Sequence, residues 1–287
     1  MNSKENLLQK REVQTIIRLA LAEDRVRQDV TSKLIIPARL ESHATLLSKA
    51  EGVLSGIEIF AAVFQNIDPN ITIKLLKADG DNLKKGDSVA VLYGNTRSIL
   101  RAERTALNFV CHLSGIASAA STYIERIKGT KARIADTRKT SAGQRLLEKY
   151  AITCGGGKNH RLDLSDGILI KDNHIAALKK VGLSLSDIIS RAKKRNRGGL
   201  AIEVEVNSLS QAEEAAATGA DILLLDNMTV SDMREVVDKL KGHVRFEASG
   251  GITLQNVRAI AETGVDIISI GALTHSAKVF DFSLEPL

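Results

Sequence analysis

The sequence predicts a mixed α/β and α+β protein whose second part is an incomplete TIM-like α/β barrel. Six apolar, strand-like segments follow one another from about residue 130, and helical segments separate most of them. Before residue 95 a polar, glycine-containing turn joins the last two of three strand-like segments, which is typical of antiparallel pairing. With 287 residues, the chain is long enough for one large domain or two smaller ones.

The N-terminal third alternates helical and extended patterns. Residues 7–22 carry apolar positions at helical spacing (Leu8, Ile16 and Leu19), and residues 57–67 do so again. The predicted strands are ATLLSKA, ITIKLLKA and SVAVLYG, and the turn DGDNLKKGD reverses the chain between the last two. A longer helix is expected from Ser98 to about Lys128, with a break near Ser114 and Gly115.

The barrel prediction depends on six segments, ARIAD, GILIKD, AIEVEV, DILLLD, RFEAS and IISIGA. The intervening helices are LSDIISRAKKR, SQAEEAAATG, VSDMREVVDKLKG and LQNVRAIAETG. Strands that alternate with helices on this scale indicate parallel pairing with right-handed crossovers. Nearly all strand positions are apolar until the final residues, as expected when both faces of a sheet are buried. Six such units are fewer than the eight of a complete barrel.

Composition narrows the possible partners. An apolar content of 44% with 26% charged residues is ordinary for a soluble protein, and no apolar run reaches membrane-spanning length. Cys111 and Cys154 have no metal-ligand spacing, so a reduced, cytoplasmic protein is expected. The net charge of +6 favours anions, but aromatic residues are only 3% of the chain. The basic cluster KKRNR ends a predicted helix, where cations are favoured, so no nucleic-acid partner and no membrane partner is expected.

Polar groups follow each barrel strand at the end where a barrel carries its active site. Singly, each has an ordinary structural explanation; Glu203 and Glu205, for example, alternate with valines as in a half-exposed strand. Together they form a ring of cations with carboxylates and glycine turns, which fits a polyanionic substrate. The members are Arg138, Lys139, His160, Arg161, Lys171, Glu203, Glu205, Asp226, Ser249–Gly251 and Gly271–Ala272.

Two features of this ring suggest specific roles. The glycine run in CGGGKNHR is expected to let its loop fold over an anion, so that His160 and Arg161 reach it. The turn at Ser249–Gly251, with Thr253 as a helix N-cap, is expected to hold a phosphate. Glu205 and Asp226 would either bind a hard cation such as Mg²⁺ or face a cationic transition state.

Several segments, in order, resemble the quinolinate phosphoribosyltransferase family, also called carboxylating nicotinate-nucleotide pyrophosphorylases. They are AERTALNFVCHLSGIAS, DTRKT, LLEKYAITCGGGKNHRLDLSDGILIKDNH, EVEV, LLLDN, EASGGIT and GALTHS. The resemblance runs from about residue 100 to 276 and implies transfer of a phosphoribosyl group from phosphoribosyl pyrophosphate to quinolinate with Mg²⁺. The products would be nicotinate mononucleotide, pyrophosphate and CO2.

The resemblance also implies an architecture and a set of site residues. Residues 1–113 would form an α/β sandwich domain, with the tail 276–287 packing back on it, and residues 114–275 the barrel. A homodimer with shared active sites, or a higher oligomer, would bring Arg104 into the neighbouring quinolinate site. Lys139, Lys171, Glu205 and Asp226 would be catalytic, the last two as ligands of the metal. Substrate binding would use these four together with Arg104, Thr137, Arg138, His160, Arg161, Ser249, Gly250, Gly251, Gly271, Ala272 and Leu273.

The chain departs from the family pattern in two places. The early segment EDxGxGDxTS lacks both glycines here, where Val26 and Gln28 stand, and Ser141-Ala142 replaces the usual Thr-Pro after DTRKT. These changes put the conformations of the two loops in question.

Three alternatives stay open. A related phosphoribosyltransferase-like protein associated with molybdenum transport would share the fold but not the substrate. A barrel lyase would use Lys171 as a Schiff base. A non-catalytic module would bind a phosphosugar without turnover.

Overall fold

The computed structural model describes residues 7–286. Residues 1–6 of the predicted N-terminal domain and Leu287 of the predicted tail lie outside this range. The elements of the first part are α1 (Arg11–Glu23), α2 (Val30–Ile35), β1 (Glu41–Ser48), β2 (Gly52–Val53), α3 (Ile57–Ile67), β3 (Thr72–Leu75), β4 (Asn82–Leu83), β5 (Ser88–Asn95) and α4 (Thr96–Arg126).

The remaining elements alternate between strand and helix. They are β6 (Arg133–Ala135), α5 (Arg145–Cys154), β7 (Ile168–Ile170), α6 (Asp172–Lys179), α7 (Leu185–Arg195), β8 (Ile202–Val206), α8 (Leu209–Thr218), β9 (Ile222–Asp226), α9 (Val230–Leu240), β10 (Arg245–Ser249), α10 (Val257–Ala261), β11 (Ile267–Ser269), α11 (Ala272–His275) and β12 (Phe282–Pro286). No helix within residues 7–286 is long and apolar enough to cross a membrane.

Internal contacts divide the chain into two compact units. One contains the described residues of 1–121 and 272–287 together with residues 140–156, and the other contains residues 122–139 and 157–271. The predicted boundaries, 113/114 and 275/276, differ from this division and stay predictions. The first of them falls inside α4, which is a single continuous helix.

The first unit is built on an antiparallel sheet with the strand order β12-β1-β5-β3. The three strands predicted before residue 95 are β1, β3 and β5, and the tail supplies β12, which pairs with β1. Helices α1 and α3 pack on each other. This is the mixed α/β arrangement that the resemblance implied.

Helix α1 buries a face that the apolar positions noted in the sequence do not define. Val13, Ile17 and Leu21 are buried at a spacing of four residues, whereas Leu19 is 65% exposed. The helix carries two apolar stripes, and packing on the rest of the unit selects one of them. The periodicity identified the helix correctly but could not choose its buried side.

The loop after α1 forms without the two glycines of the family pattern. Val26 and Gln28 lie in a 3-10 turn, and the left-handed residue is Arg25, with φ +48°. The side chain of Asp29 then accepts a hydrogen bond from the Ser32 backbone N–H (3.0 Å) and caps α2. The loop therefore needs no glycine at either position.

The predicted break in α4 was wrong. Ser114 and Gly115 lie in the middle of one helix of 31 residues and are buried. The Ser114 hydroxyl accepts from the Ser55 backbone N–H (2.9 Å), and a Cβ at residue 115 would lie 2.1 Å from the Lys278 carbonyl oxygen. The glycine thus permits close approach of the C-terminal segment.

This close approach predicts the effect of Gly115→Ala. The added methyl group would push Lys278 away and disturb the segment that leads into β12, so we expect a loss of about 2–3 kcal/mol of unfolding free energy. Gly198→Ala is the matched control, because its Cβ would meet only Leu200, at 4.0 Å. Denaturant unfolding of both variants checks this. Equal stability of the two would contradict the proposed role of Gly115.

The second unit contains a parallel sheet with the order β6-β11-β10-β9-β8-β7. These are the six predicted strands, and the open six-stranded arrangement is that of an incomplete barrel. Helices α7, α8 and α9 begin at the hydroxyl caps Ser184, Ser208 and Thr229, each of which accepts a backbone N–H from the first turn. Because all six strands are parallel, their polar C-terminal ends lie at one edge.

Candidate active site

The loop that carries His160 is attached to the end of β6. Lys158 forms an isolated parallel bridge with Ala135, and the His160 backbone N–H donates to Asp136 Oδ1 (2.8 Å). Asp136 is fully buried. The loop is therefore held beside the strand end that leads directly into Thr137, Arg138 and Lys139.

Arg138 and Arg161 lie near enough at this edge for their charges to interact. Burial lowers the pKa of Arg161, and the positive charge of Arg138 lowers it further. The Arg138 Nε is buried and has no hydrogen-bond partner within residues 7–286. Two like charges with an unsatisfied buried donor are costly unless an anion binds between them. This pair is therefore a candidate carboxylate or phosphate site.

His160 lies between two buried carboxylates. Its Nε2 is 3.2 Å from Glu203 Oε2 and 3.3 Å from Glu247 Oε1. Burial lowers the pKa of His160, but the hydrogen bonds to Glu203 and Glu247 outweigh it and raise the pKa to about 10. Desolvation also raises the pKa of Glu203. At neutral pH, His160, Glu203 and Glu247 together therefore hold one more proton than a neutral imidazole and two ionised carboxylates would.

The other ring nitrogen of His160 accepts a hydrogen bond. The Arg161 backbone N–H donates to His160 Nδ1 (2.8 Å), so in this arrangement the ring proton is on Nε2, where Glu203 and Glu247 can accept it. The three ligand atoms lie within 4.8 Å of one another, a spacing that a metal ion could also use. A metal bound through Nε2 would require the ring proton on Nδ1. Because Nδ1 accepts a hydrogen bond, the geometry favours a proton on Nε2 over a metal ion bound to it.

Three acidic residues have structural roles that were not predicted from the sequence. Glu203 is 6% exposed, Glu247 1% and Asp136 0%. Glu203 is therefore not the half-exposed strand residue that its alternation with valines suggested. Neighbouring residues on both faces of β8 and β10 are buried, and Glu203 and Glu247 are buried with them. The available signal was a charged residue inside an otherwise apolar strand, as in RFEAS.

A second acidic group lies where β8 and β9 end. Burial raises the pKa of Glu205, and the nearby carboxylates of Asp226 and Asp172 raise it further, while Lys171 opposes them. The Asn227 side-chain amide donates to Asp226 Oδ2 (2.7 Å) and orients that carboxylate. A hard divalent cation takes oxygen ligands, so these neighbouring carboxylates are candidates to hold one.

The glycine turn after β10 is shaped by Asn227. Gly250 and Gly251 have φ +87° and +59°, and a Cβ on Gly250 would lie 2.3 Å from Asn227 Oδ1. The Asn227 backbone N–H donates to the Ser249 carbonyl (3.0 Å). Asn227, which had no predicted role, thus links the turn to Asp226.

The predicted helix cap at Thr253 was wrong. Helix α10 begins at Val257 with Asn256 as its N-cap rather than Thr253, and it is five residues long. Helix α11 has four residues, and the Leu273 side chain is buried. Helices this short supply little dipole, so any phosphate contact at Ser249–Gly251 or Gly271–Leu273 would depend on backbone N–H groups.

The glycine run has a more local purpose than the one predicted. Gly155 ends α5, and a Cβ there would lie 2.2 Å from the Ala117 carbonyl oxygen of α4. Gly156 has φ +88°, and its N–H donates to the Thr153 carbonyl (3.0 Å). These glycines end a helix against its neighbour, and Lys158–His160 are then held by β6 instead of folding freely over a ligand.

Lys171 is exposed at the start of α6, where its backbone N–H donates to His174 Nδ1 (3.0 Å). A Schiff-base lysine requires a desolvated site that lowers its pKa. The exposure of Lys171 argues against the lyase alternative. Lys139 is exposed as well, and its backbone N–H donates to the Thr137 hydroxyl (3.0 Å).

Arg104 belongs to the first unit and is exposed on α4. It lines a cavity of about 470 Å³ together with Asn108, His112, Ser141 and Gln144. Glu148 is fully buried there; it contacts His112 Nε2 (2.9 Å) and accepts from the Ser141 backbone N–H (3.1 Å). That second bond holds the turn in which Ser141-Ala142 replaces Thr-Pro, so the turn is anchored without the proline.

Comparisons with known proteins agree with this arrangement. The family model "Quinolinate phosphoribosyl transferase, N-terminal domain" matches residues 29–114, and the corresponding C-terminal domain model matches residues 116–285. The probable nicotinate-nucleotide pyrophosphorylase [carboxylating] of Bacillus subtilis is 40% identical over 263 residues, which are 92% of this chain and 89% of that protein. The mitochondrial quinolinate phosphoribosyltransferase [decarboxylating] 2b of Nicotiana tabacum is 37% identical over 96% of this chain and 82% of that protein.

Solved structures show the same similarity. The nicotinate-nucleotide pyrophosphorylase from Francisella tularensis is 38% identical, covers 96% of both chains and superposes with a TM-score of 0.89. Both domain models together match the chain from residue 29 to 285. The chain therefore belongs to the quinolinate phosphoribosyltransferase family.

Proposed function

We propose that this protein transfers a phosphoribosyl group from phosphoribosyl pyrophosphate to quinolinate in NAD biosynthesis. The transfer is followed by decarboxylation and gives nicotinate mononucleotide, pyrophosphate and CO2. The observation that carries the proposal is the pair of Arg138 and Arg161, in which the buried Arg138 Nε has no hydrogen-bond partner among the residues that the structure describes. A planar dicarboxylate would satisfy the donors of both guanidinium groups.

The proposed binding residues fall into two groups, one for the carboxylates of quinolinate and one for phosphate oxygens. Arg138, Arg161 and Lys139 hold the quinolinate carboxylates and keep the ring nitrogen oriented towards the sugar. Lys171 and the backbone N–H groups at Ser249–Gly251 and Gly271–Leu273 hold phosphate oxygens. The reaction needs no covalent nucleophile. Much of the rate enhancement therefore comes from holding the two anionic substrates in register.

The chemical steps place charge where the site can stabilise it. As the bond from ribose C1 to pyrophosphate breaks, the sugar becomes cationic, and the carboxylates of Glu205 and Asp226 stabilise this charge. The quinolinate nitrogen forms the new bond to C1. Loss of the adjacent carboxylate as CO2 leaves an electron pair on the ring carbon, which the cation of Lys139 stabilises until a proton is taken up.

The residues present fit a magnesium ion. Glu205 and Asp226, with Asp172 beside them, form a group of oxygen ligands; burial and, after it, the charges of the other two carboxylates raise the pKa of Glu205. Glu205 and Asp226 would hold the ion, with the substrate supplying further oxygens. When bound, Mg²⁺ would neutralise charge on the departing pyrophosphate.

The test is an assay of purified protein with Mg²⁺ and phosphoribosyl pyrophosphate, in which quinolinate and nicotinate are offered separately. The expected result is turnover of quinolinate alone, with one CO2 released per mononucleotide formed. Absence of product from both substrates would overturn the assignment and favour the relative associated with molybdenum transport or a non-catalytic phosphosugar-binding module.

The proposed assembly is a homodimer that shares its active sites, and the proposed location is the cytoplasm. The exposure of Arg104 beside a cavity supports the first, because an arginine that projects from one subunit can complete a neighbouring site. The second is supported by the two cysteines, which are both free thiols, as is usual in a reducing compartment.

Subunit mixing tests the shared site. Arg104→Ala and Arg138→Ala homodimers should each be nearly inactive, but a mixed dimer contains one site with both arginines intact. We expect co-refolded mixtures to recover about a quarter of wild-type activity, because half of the dimers are mixed and each has one working site of two. Sedimentation velocity confirms that dimers form. Activity that stays at the level of the separate variants would contradict the sharing.

A further inference from the structure

We propose that Glu247 is a positioning residue: by fixing the His160 ring through a hydrogen bond, it sets the place of Arg161 in the anion-binding site. The inference rests on the proposed function, because quinolinate is the ligand whose binding reports on Arg161. Glu247 was not among the predicted site residues. It lies on β10, one residue after Phe246 and two before Ser249.

Glu247 contacts the imidazole ring of His160 directly. Glu247 is 1% exposed, and its Oε1 is 3.3 Å from His160 Nε2. Glu203 holds the same nitrogen from β8, at 3.2 Å. A donor held between acceptors from two different strands cannot rotate without losing one of them. The ring plane of His160 is therefore fixed by the sheet.

The imidazole ring is in turn connected to Arg161. The Nδ1 atom accepts the backbone N–H of Arg161 itself at 2.8 Å, and Asp136 accepts the backbone N–H of His160 at 2.8 Å. Each rotation or shift of the imidazole therefore moves the peptide group from which the Arg161 side chain extends. Both ring nitrogens are committed within the protein. His160 consequently acts on the substrate through Arg161 rather than by direct contact.

The rigid attachment of Arg161 lowers the cost of ordering this residue when the substrate binds. Arg161 is held near Arg138, and this repulsion would drive it towards solvent if its backbone were free. A rigid attachment keeps the second guanidinium in place before the substrate arrives, so that binding needs no further ordering. Glu203 also interacts electrostatically with Arg161, so its substitution would change two properties at once. Glu247 is the cleaner residue to test.

Two substitutions separate position from charge. Glu247→Gln keeps an oxygen acceptor at the same distance from His160 but removes the negative charge. Glu247→Asp keeps the charge but shortens the side chain by one methylene, which moves the oxygen away from the ring. If Glu247 acts by position, the glutamine variant should resemble the wild type, and the aspartate variant should not.

The measurements are kinetics and calorimetric binding of quinolinate to the full chain. For Glu247→Asp we expect the quinolinate KM and Kd to rise about 10-fold, with kcat and the phosphoribosyl pyrophosphate KM within about 2-fold of wild type. For Glu247→Gln all four values should stay within about 3-fold of wild type. The reverse pattern, with the aspartate variant intact and the glutamine variant impaired, would overturn the inference in favour of a counter-charge role.

A matched control distinguishes positioning from general stability. Asp266 Oδ2 accepts the backbone N–H of Phe246 (2.9 Å), the residue before Glu247. Asp266→Ala should lower the melting temperature of the protein without changing quinolinate binding. If Asp266→Ala raises the quinolinate KM as much as Glu247→Asp does at equal loss of stability, Glu247 is merely structural.

Crystal structures of the two ligand-free Glu247 variants make the test independent of the proposed function. The Arg161 backbone and guanidinium should be displaced in Glu247→Asp and unchanged in Glu247→Gln. An unmoved Arg161 in the aspartate variant would overturn the positioning role. Wild-type protein that neither binds nor turns over quinolinate would instead overturn the proposed function, and the crystal structures would still decide this inference.

Discussion

Replacing Arg138 with lysine is expected to lower kcat/KM for quinolinate about a hundred- to a thousand-fold while leaving the stability of the free protein intact. Lysine keeps the positive charge but has one point donor, whereas the guanidinium presents a planar fork to a carboxylate. In the free protein the buried Arg138 Nε finds no hydrogen-bond partner in the described part of the chain, and its charge interacts with that of Arg161. The substitution removes that unsatisfied donor, so the melting temperature should be unchanged or higher.

A fall in kcat/KM together with an unchanged or higher melting temperature would make Arg138→Lys a specific test of anion binding. Arg133 begins the same strand, β6, at the end away from the site, and it is exposed. Arg133→Lys is therefore the matched control, expected to change neither kcat/KM nor stability. Steady-state kinetics and thermal unfolding of the two variants provide the measurements. A loss of stability in Arg138→Lys that accounts for its loss of activity would refute the proposed anion-binding role.

Replacing Glu205 with glutamine is expected to lower kcat/KM about a thousand-fold and to weaken the response to Mg²⁺. Burial and the neighbouring carboxylates make the ionised Glu205 unfavourable in the free protein, and their effect is opposed by Lys171. A divalent cation would relieve that repulsion, and the amide of the variant would not need it. The metal-free variant should therefore be at least as stable as the wild type.

Melting temperatures measured across a Mg²⁺ titration with phosphoribosyl pyrophosphate test this directly. A ligand that binds only the folded state raises the melting temperature with its concentration. The wild type should show this rise, and both Glu205→Gln and Asp226→Asn should show less of it. Asp238→Asn, on the exposed side of α9, is the surface control. If Glu205→Gln loses turnover but keeps the full Mg²⁺ response, Glu205 faces the cationic sugar and does not hold the metal.

Local patterns were sufficient to predict the repeating part of the fold. The six barrel strands were found because both of their faces are apolar, and three helices begin at hydroxyl caps that precede their apolar positions. Parallel strands place their C-terminal ends at one edge, so Arg138, Lys171, Glu205 and Asp226 could be assigned to a common site from the order of the segments alone. Each of these inferences uses neighbours within one element.

The errors arose where long-range contacts decided the outcome. Gly115 was predicted to break α4, but it lies inside a continuous helix because a segment more than 160 residues later packs against it. The buried face of α1 depended on which of its two apolar stripes meets the rest of the unit. The glycines at 155 and 156 serve the end of α5 against Ala117, a contact that no local pattern shows.

By itself, the sequence determined the succession of strands and helices, the polar edge of the barrel and the family to which the chain is similar, because each depends on residue type and spacing along the chain. The tertiary structure alone decided that Asp136, Glu203 and Glu247 are buried, that His160 is engaged at both ring nitrogens, and that the Arg138 Nε has no partner within residues 7–286. The physical reason is that burial and hydrogen-bond partnership depend on residues from separate strands. Such residues meet only when the sheet has formed.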